Sequence, residues 1–366
     1  MTEIRIVNLQ KEFKDLIAVR DLTITFPSGE VTCLLGPSGC GKTTLMRMIA
    51  GLEEPTRGDI YFDDLKVTNM APSKRNIGMV FQYPVVYRGL NVFRNIELPL
   101  IEDKLPQNER KERIREVADI MGIQDDLEKD ITQLDNSTRQ KVAVAREVAR
   151  RPKIILFDEP ITNVDVDSKD QLKEALKRLT RQLKQTIVYV THDQTEAMTL
   201  ADRIALMRDG AILQRDTPRE LYNHPNDVFG GWFLGNPGMS FIDLEIVEKN
   251  GSKFIEKGFF VQPVRLTGQI KDSKITLGIR PEQIKVTDQP GANSNQAKVV
   301  RKALIVGGQV LVTLSMANRV FKAKLPAAQG FPKAEIVYVE FPMNKVTLFG
   351  GDGKRANIQM SVVPNA

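Results

Sequence analysis

Four short stretches of the chain are apolar almost without interruption: Val31 to Leu35, Ile77 to Phe81, Ile154 to Phe157 and Ile187 to Val190. Runs of this length read as strands buried on both faces, and the helical patterns between them predict a parallel sheet covered on each side. Ile4 to Val7 and Leu22 to Phe26 alternate instead, and Pro27-Ser28-Gly29 ends them in a turn. A further strand pair is expected around Ile60, Tyr61 and Phe62. Leu45, Met46, Met48 and Ile49 recur at helical spacing. From Val92 to Arg151 the pattern is helical. There Asn108 to Glu116, with Glu109 and Arg113 four apart, is a solvated face, while Ala143, Ala145, Val148 and Ala149 form a buried stripe. Leu172 to Leu183 predicts another amphipathic helix. At Gly235-Asn236-Pro237-Gly238 the character changes. Beyond it come short alternating strands such as Lys274 to Ile279 and Val310 to Leu314, frequent Gly and Pro, and little helix signal. The chain is therefore expected to hold an α/β domain over 1–235, with a helical part at about 90–150, and a small all-β domain, barrel or sandwich, over 236–366.

Composition narrows this picture only a little. A length of 366 residues fits two domains. The net charge of +6 is modest, is expected to be spread along the chain, and suits a nucleotide or an anionic surface without indicating nucleic acid. The only cysteines, Cys33 and Cys40, give neither a disulfide framework nor metal spacing, which fits a reducing, cytosolic compartment. The start, Met1-Thr2-Glu3-Ile4-Arg5, lacks the layout of a signal peptide, and no apolar run approaches the ~18–20 residues of a membrane helix.

The chemistry starts where the first buried strand ends. Gly36-Pro37-Ser38-Gly39-Cys40-Gly41-Lys42-Thr43 lies between a strand and a helix, the context a phosphate-binding loop requires. Glycines let backbone N–H groups wrap a phosphate chain, and the helix start adds its positive dipole end. Lys42 would neutralise the terminal phosphates and the Thr43 hydroxyl would hold Mg²⁺. Asp158, ending the strand from Ile154, is the second half of such a site, its carboxylate facing Mg²⁺ opposite Thr43. Glu159 is placed to polarise an attacking water. His192, at the end of the strand from Thr186, could contact the γ-phosphate and orient Glu159. The other histidine, His224 in Tyr222-Asn223-His224-Pro225, reads as an ordinary turn residue. Phe13, among Lys11, Glu12, Lys14 and Asp15, reads either as a half-buried core aromatic or as a platform for an adenine ring.

With these residues in view, the chain resembles the ATPases of ABC transporters, and specifically those of carbohydrate-type importers such as the maltose importer. The resemblance rests on Gly36 to Thr44, on Gln82 in Val80-Phe81-Gln82, on Ile154 to Pro160, on Thr162-Asn163-Val164-Asp165, and on the run Thr191 to Arg203. Leu277-Gly278-Ile279-Arg280-Pro281-Glu282 resembles the signature of the group's C-terminal regulatory domain, an OB-like β fold. The resemblance implies a P-loop NTPase core with a helical subdomain, and ATP and Mg²⁺ as cofactors. In that setting Phe13 stacks on adenine, and Gln82 reaches Mg²⁺ and the water and senses the membrane subunit. Asp165 lies in the loop that addresses the facing subunit, and His192 is the switch histidine. Tyr83 to Val92 would line the groove that receives a permease helix. The implied partners are a second ATPase, two transmembrane permease subunits and, indirectly, a solute-binding protein, with the chain peripheral on the cytoplasmic face of the membrane.

One stretch departs from the family pattern. Where the family has Leu-Ser-Gly-Gly-Gln, this chain has Leu134-Asp135-Asn136-Ser137-Thr138, followed by a matching Arg139-Gln140-Lys141-Val142-Ala143. The usual signature meets the γ-phosphate bound on the facing subunit. Here both glycines gain side chains, and Asp135 brings a negative charge. At ~4 Å and an effective dielectric near 20, that charge costs roughly 4 kcal/mol beside phosphate. Asp135 to Thr138 also suit a helix cap. A homodimer would carry the change in both sites, whereas a different ATPase with an intact signature would leave one competent site, so the heterodimer is expected. The rival readings are an ATP-binding partner subunit with little hydrolysis of its own, and an ABC ATPase acting on nucleic acid. Against the second, the β-domain lacks the basic and aromatic run that stacks bases.

Overall fold

The computed structural model describes residues 2–162, 164, 166–182, 184–255, 259–270, 273–305, 307–329 and 334–363, with 166 and 167 in backbone only. Asn163 and Asp165 lie outside the described residues. The chain divides into two compact units, Met1–Arg219 and Glu220–Ala366.

The first unit runs β1 (Ile4–Phe13), β2 (Leu16–Phe26), β3 (Val31–Leu35), α1 (Lys42–Ala50), β4 (Arg57–Phe62), β5 (Leu65–Lys66), β6 (Ile77–Val80), α2 (Val92–Glu102), α3 (Gln107–Met121), α4 (Asn136–Ala149), β7 (Ile154–Asp158), α5 (Val166–Gln182), β8 (Thr186–Thr191), α6 (Gln194–Leu200), β9 (Arg203–Arg208) and β10 (Ala211–Asp216). Two sheets result, an antiparallel β2-β1-β4-β5 and a six-stranded β10-β9-β3-β8-β7-β6 in which β9, β3, β8, β7 and β6 are parallel. Every residue of β3, β7 and β8 is buried, which is why those strands lack polar alternation. Helix α1 is packed between the sheets: Leu45, Met46, Met48, Ile49 and Ala50 join one core with Ile4, Ile6 and Phe26 of the hairpin and Leu34, Leu156 and Val188 of the parallel sheet.

Two elements run further than their apolar pattern. Helix α5 starts at Val166 rather than Leu172, because Ser168, Lys169, Asp170 and Gln171 are polar and partly or fully exposed and so leave no stripe. The β1–β2 hairpin continues to Phe13 and Leu16, past the alternation, carried by backbone pairing of Lys11 with Val19 and Phe13 with Leu16. The helical region resolves into α2, α3 and α4. Glu97 in α2 is almost fully buried between Arg94 at 2.7 Å and Arg110 at 3.0 Å, so its charge is compensated from two helices. The expected Glu109–Arg113 pair forms at 2.5 Å.

Helix α7 (Pro218–Asn223) spans the division, and the second unit goes on through α8 (Val228–Phe233) as strands: β11 (Ser240–Lys249), β12 (Ser252–Ile255), β13 (Val264–Gly268), β14 (Lys274–Ile279), β15 (Lys285–Thr287), β16 (Asn295–Ile305), β17 (Gln309–Met316), β18 (Arg319–Pro326), β19 (Ile336–Glu340), β20 (Thr347–Phe349) and β21 (Ile358–Val362). They form a six-stranded sheet, β20-β14-β11-β12-β13-β21, and a five-stranded one, β15-β19-β16-β17-β18. The edge strands β15 and β18 of the latter approach one another, so it nearly closes as a barrel. Strand β17 alternates half-exposed and buried along its whole length, the mark of a sheet with one wet face. Arg280, in the motif after β14, is almost fully buried and donates to the carbonyls of Tyr222, Gly231 and Leu234, so it staples both short helices to the β region.

Candidate functional site at the C-terminal edge of the parallel sheet

Register alone gathers the chemistry. Val80 pairs with Phe157, Asp158 with Val190, and Thr191 with Leu35. The strands leading into Gln82, Glu159, His192 and the glycine loop therefore end level with one another. Ligands of parallel sheets bind at this edge, where the strands release their loops.

Two glycines explain why the loop at 36–41 can turn so tightly. A Cβ on Gly36 would sit 2.2 Å from the Met207 carbonyl oxygen. Gly41 has φ +103° and lies equally close to the Ala18 carbonyl, so a side chain there would both strain the backbone and collide. Pro37 is half-buried, Ser38 and Gly39 form the exposed tip, and Cys40 is buried with its thiol pushed up by burial. Lys42 is buried, and its ammonium is held over the loop by the carbonyls of Gly36 at 2.9 Å and Pro37 at 3.0 Å. Thr43 and Thr44 open α1, whose backbone N–H groups and dipole face the same space.

The Thr43 hydroxyl donates to Asp158 Oδ1 at 3.2 Å. Burial pushes the Asp158 carboxyl above its ordinary range, neighbouring Glu159 adds to this, and the Thr43 hydrogen bond only partly offsets it. A hydroxyl and a desolvated carboxylate form a hard-oxygen pair that a cation would relieve. Mg²⁺ fits such a pair, since it takes one or two protein oxygens and completes its shell with phosphate and water.

Glu159 has a left-handed backbone, φ 45°, fixed by its N–H donating to the Val190 carbonyl at 3.0 Å. This turns its side chain out of the strand direction toward His192, whose Nδ1 lies 3.1 Å from Glu159 Oε2. The Thr162 hydroxyl donates to the same oxygen at 3.2 Å. A carboxylate oriented by two neighbours at this sheet edge can hold and activate a water. His224 lies in the second unit, where its Nε2 is 3.8 Å from Glu220 Oε2.

Phe13 is 42% exposed at the tip of the β1–β2 hairpin, so the core reading of this residue fails. Lys11, itself tied to Glu53 at 2.6 Å, rests 4.7 Å from the ring centroid. The hairpin that carries Phe13 also supplies the Ala18 carbonyl packed on Gly41, which places an exposed aromatic face on the element flanking the loop.

Gln82 is half-buried beyond β6, and Phe81, Tyr83, Val85 and Tyr87 around it are exposed. The segment is nonetheless braced: Asn95 of α2 accepts from the Tyr87 N–H at 2.7 Å and donates to its carbonyl at 3.1 Å. Gln140 of α4 donates to the Phe81 carbonyl at 3.0 Å. Sequence reasoning gave Gln140 no role beyond matching the family pattern. A polar residue in a helix carries no signal for a contact 59 positions away, and only its place on the buried stripe hinted at it. Arg75 was also missed. Its buried guanidinium donates to the carbonyls of Met48 and Ile49, which end α1.

In the stretch Leu134 to Thr138, Asp135 is the N-cap of α4, its carboxylate accepting from the Thr138 N–H at 2.6 Å. Leu134 and Ser137 are buried, and Asp135 and Asn136 are exposed. Asp135 therefore serves as a cap, and its charge sits on the α4 N-terminus.

Comparison with known proteins agrees with this geometry. The ABC transporter family model matches residues 19–162. The chain is 37% identical to the trehalose/maltose import ATP-binding protein of Thermococcus litoralis, across 95% of this chain and 98% of that one. It is 39% identical to the sn-glycerol-3-phosphate import ATP-binding protein of Psychromonas ingrahamii, across 79% and 76%. With the oligosaccharides import ATP-binding protein of Bacillus subtilis it shares 35%, across 96% and 98%. Among solved structures, a dimeric bacterial ABC transporter cassette superposes with TM-score 0.53 at 30% identity, over 59% of this chain and 99% of that chain. Among the described residues no helix is long and apolar enough to cross a membrane. The chain belongs to the ABC transporter ATPases, in the group of carbohydrate and glycerol-phosphate import subunits.

Proposed function

We propose that this chain hydrolyses Mg²⁺-ATP to drive import of a sugar, polyol, glycerol or glycerol phosphate, as one half of an asymmetric ATPase pair. The relatives named for trehalose and maltose, oligosaccharides and sn-glycerol-3-phosphate support that solute range. Phe13 stacks on the adenine, and the loop from Gly36 to Thr44 holds the phosphates, with Lys42 on their terminal charge. Thr43, Asp158 and Gln82 hold Mg²⁺, which supplies charge neutralisation on the phosphates. Glu159 activates the attacking water and His192 fixes Glu159 and meets the γ-phosphate. Exposed Tyr83, Val85 and Tyr87, braced by Asn95, receive a helix of a permease subunit. The chain works peripherally at the cytoplasmic face, with two permeases and a solute-binding protein beyond them.

One observation carries the asymmetry. Thr43 bonds Asp158 and Glu159 meets His192 at one edge of the parallel sheet, while Asp135 already occupies the α4 N-terminus that would serve the facing subunit's phosphate. The test is purification of the complex from native membranes, with every ATPase chain identified and the hydrolysing sites counted by nucleotide trapping. A second ATPase with an unmodified signature and one hydrolysing site per complex is expected. A fully active transporter holding two copies of this chain and no other ATPase overturns the proposal.

A further inference from the structure

The chain's net charge of +6 is not spread along it. Between Asp288 and Glu335 lie 46 residues with seven lysines and arginines and no acid, where the chain's average would place about six acids. This segment alone brings +7, leaving the rest of the chain one charge negative. It carries the strands β16, β17 and β18. Their register aligns Lys298 with Ser315 and Val320, Arg301 with Thr313 and Lys322, and Ala303 with Leu311 and Lys324. The alternate residues Val312, Leu314, Phe321 and Ala323 are buried in the core, so these rows form the outer face. Among the described residues none of Lys298, Arg301, Lys322 and Lys324 has an acidic partner; the nearby Glu340 is taken by Lys285 at 3.1 Å. Aliphatic side chains are interleaved with the cations: Val300, Val320 and Ile336 are each more than half exposed, and Ile336 pairs with Lys298.

We propose that the outer face of β16-β17-β18 docks an acidic, aliphatic-bearing segment of a partner protein. Charge complementarity and the exposed valines and isoleucine select this occupant. A single-stranded nucleic acid needs several aromatic platforms; Phe321, the one aromatic of β16, β17 and β18, is buried, and beside Ile336 on β19 Tyr338 stands alone with its hydroxyl accepting from Gln296 at 3.3 Å. A lipid surface is met by amphipathic helices with bulky apolar anchors, and this face is a sheet without them. The cations lie on β16 and β18, the two strands flanking β17, with rows about 6.6–6.8 Å apart, which matches every second side chain of an extended peptide.

The test uses the full chain and a fluorescein-labelled twelve-residue peptide alternating Glu and Val, with fluorescein-labelled oligo-dT and vesicles containing phosphatidylglycerol as rivals. The variant carrying Lys298→Gln, Arg301→Gln, Lys322→Gln and Lys324→Gln should bind the peptide at least tenfold more weakly. A control removing the exposed cations Lys104, Lys111, Arg115 and Lys184 in the same way should bind as the parent does. Melting temperature and its rise on adding Mg²⁺-ATP report whether each variant is folded. Independently of folding, carbodiimide coupling of the peptide to the unmodified chain should label Lys298, Lys322 and Lys324. Equal binding by both variants, labelling elsewhere, no saturable binding, or tighter binding of oligo-dT or vesicles than of peptide each overturn the inference.

Discussion

If Asp135 is what silences the α4 side of the site, replacing it should let this chain pair with itself. The structure sets the magnitude. The carboxylate sits at the tip of α4 with its Oδ1 2.6 Å from the Thr138 nitrogen. A phosphate oxygen approaching the same N–H groups would come within ~4 Å of it, at a cost of roughly 4 kcal/mol for an effective dielectric of 20. Screening at physiological salt, with a Debye length near 8 Å, leaves about 1–3 kcal/mol per site, or roughly 10- to 100-fold. Serine also caps helices well, so Asp135→Ser should shift fold stability by no more than about 0.5 kcal/mol. The glycines are a separate matter: Asn136→Gly and Ser137→Gly restore backbone access but cost up to about 1 kcal/mol each in the first turn of α4.

The assay is sedimentation of the isolated chain with Mg²⁺-ATP in a Glu159→Gln background, which keeps ATP intact. A symmetric pair holds two sites, so Asp135→Ser should tighten self-association by roughly 10²- to 10⁴-fold, and raising the salt should shrink the gain. The charge account fails if Asp135→Ser leaves association unchanged while the glycine substitutions alone restore it. The asymmetric pair itself fails if the parent chain already dimerises tightly with ATP.

Asp158→Asn should raise the melting temperature at neutral pH without Mg²⁺-ATP while abolishing stabilisation by Mg²⁺-ATP. Burial raises this carboxyl, so its contribution to stability is present below the ordinary carboxylate range and is lost as pH rises through the elevated folded value; a drop in melting temperature at neutral pH contradicts this. Glu196, buried and raised mainly by desolvation, accepts from Thr191 at 2.8 Å and Tyr189 at 3.1 Å, contacts that glutamine also accepts. Glu196→Gln should therefore stabilise at pH 8 and lose that advantage near pH 4, measured by urea midpoints, and a pH-independent effect would mean the carboxyl is not strained. Gln140→Leu removes one hydrogen bond to the Phe81 carbonyl but also a buried Oε1 that has no partner, so stability should change by less than about 1 kcal/mol. Turnover should fall through kcat more than KM as the segment carrying Gln82 loosens; activity and stability falling in proportion would reduce Gln140 to a packing residue.

What the sequence revealed depended on how local each signal is. Strands β3, β7 and β8 are buried on both faces, so their residues had to be apolar and stood out. The phosphate loop was legible because glycine is the only residue that Gly36 and Gly41 admit. Phe13 was ambiguous because its neighbours in sequence are charged, whereas its exposure follows from the hairpin continuing to its tip. Arg75, Gln140 and Glu196 were illegible for the opposite reason. Each is a polar residue made buried by elements far away in sequence, and a polar letter in a polar stretch reads as solvated. The concentration of charge between Asp288 and Glu335 was countable from the start. Its meaning required the register that aligns Arg301 with Lys322 across β17.

The capping and phosphate readings of Asp135 describe the same N–H groups. A helix start offers a few unpaired N–H groups and a partial positive charge to whatever acceptor arrives. In a signature of serine and glycine those groups remain available to a phosphate across the interface. In this chain a covalently attached carboxylate accepts from Thr138, at an effective concentration no free nucleotide reaches. A stable α4 and a phosphate-binding α4 are therefore alternatives at this position, and the sequence favours the first. The same chain holds Thr43 against Asp158 and Glu159 against His192, so under the proposed function its own nucleotide needs only a facing helix whose N-terminus is open. In the proposed asymmetric pair that helix comes from a different chain, and the Asp135→Ser experiment asks whether removing one carboxylate is enough to supply it from this one.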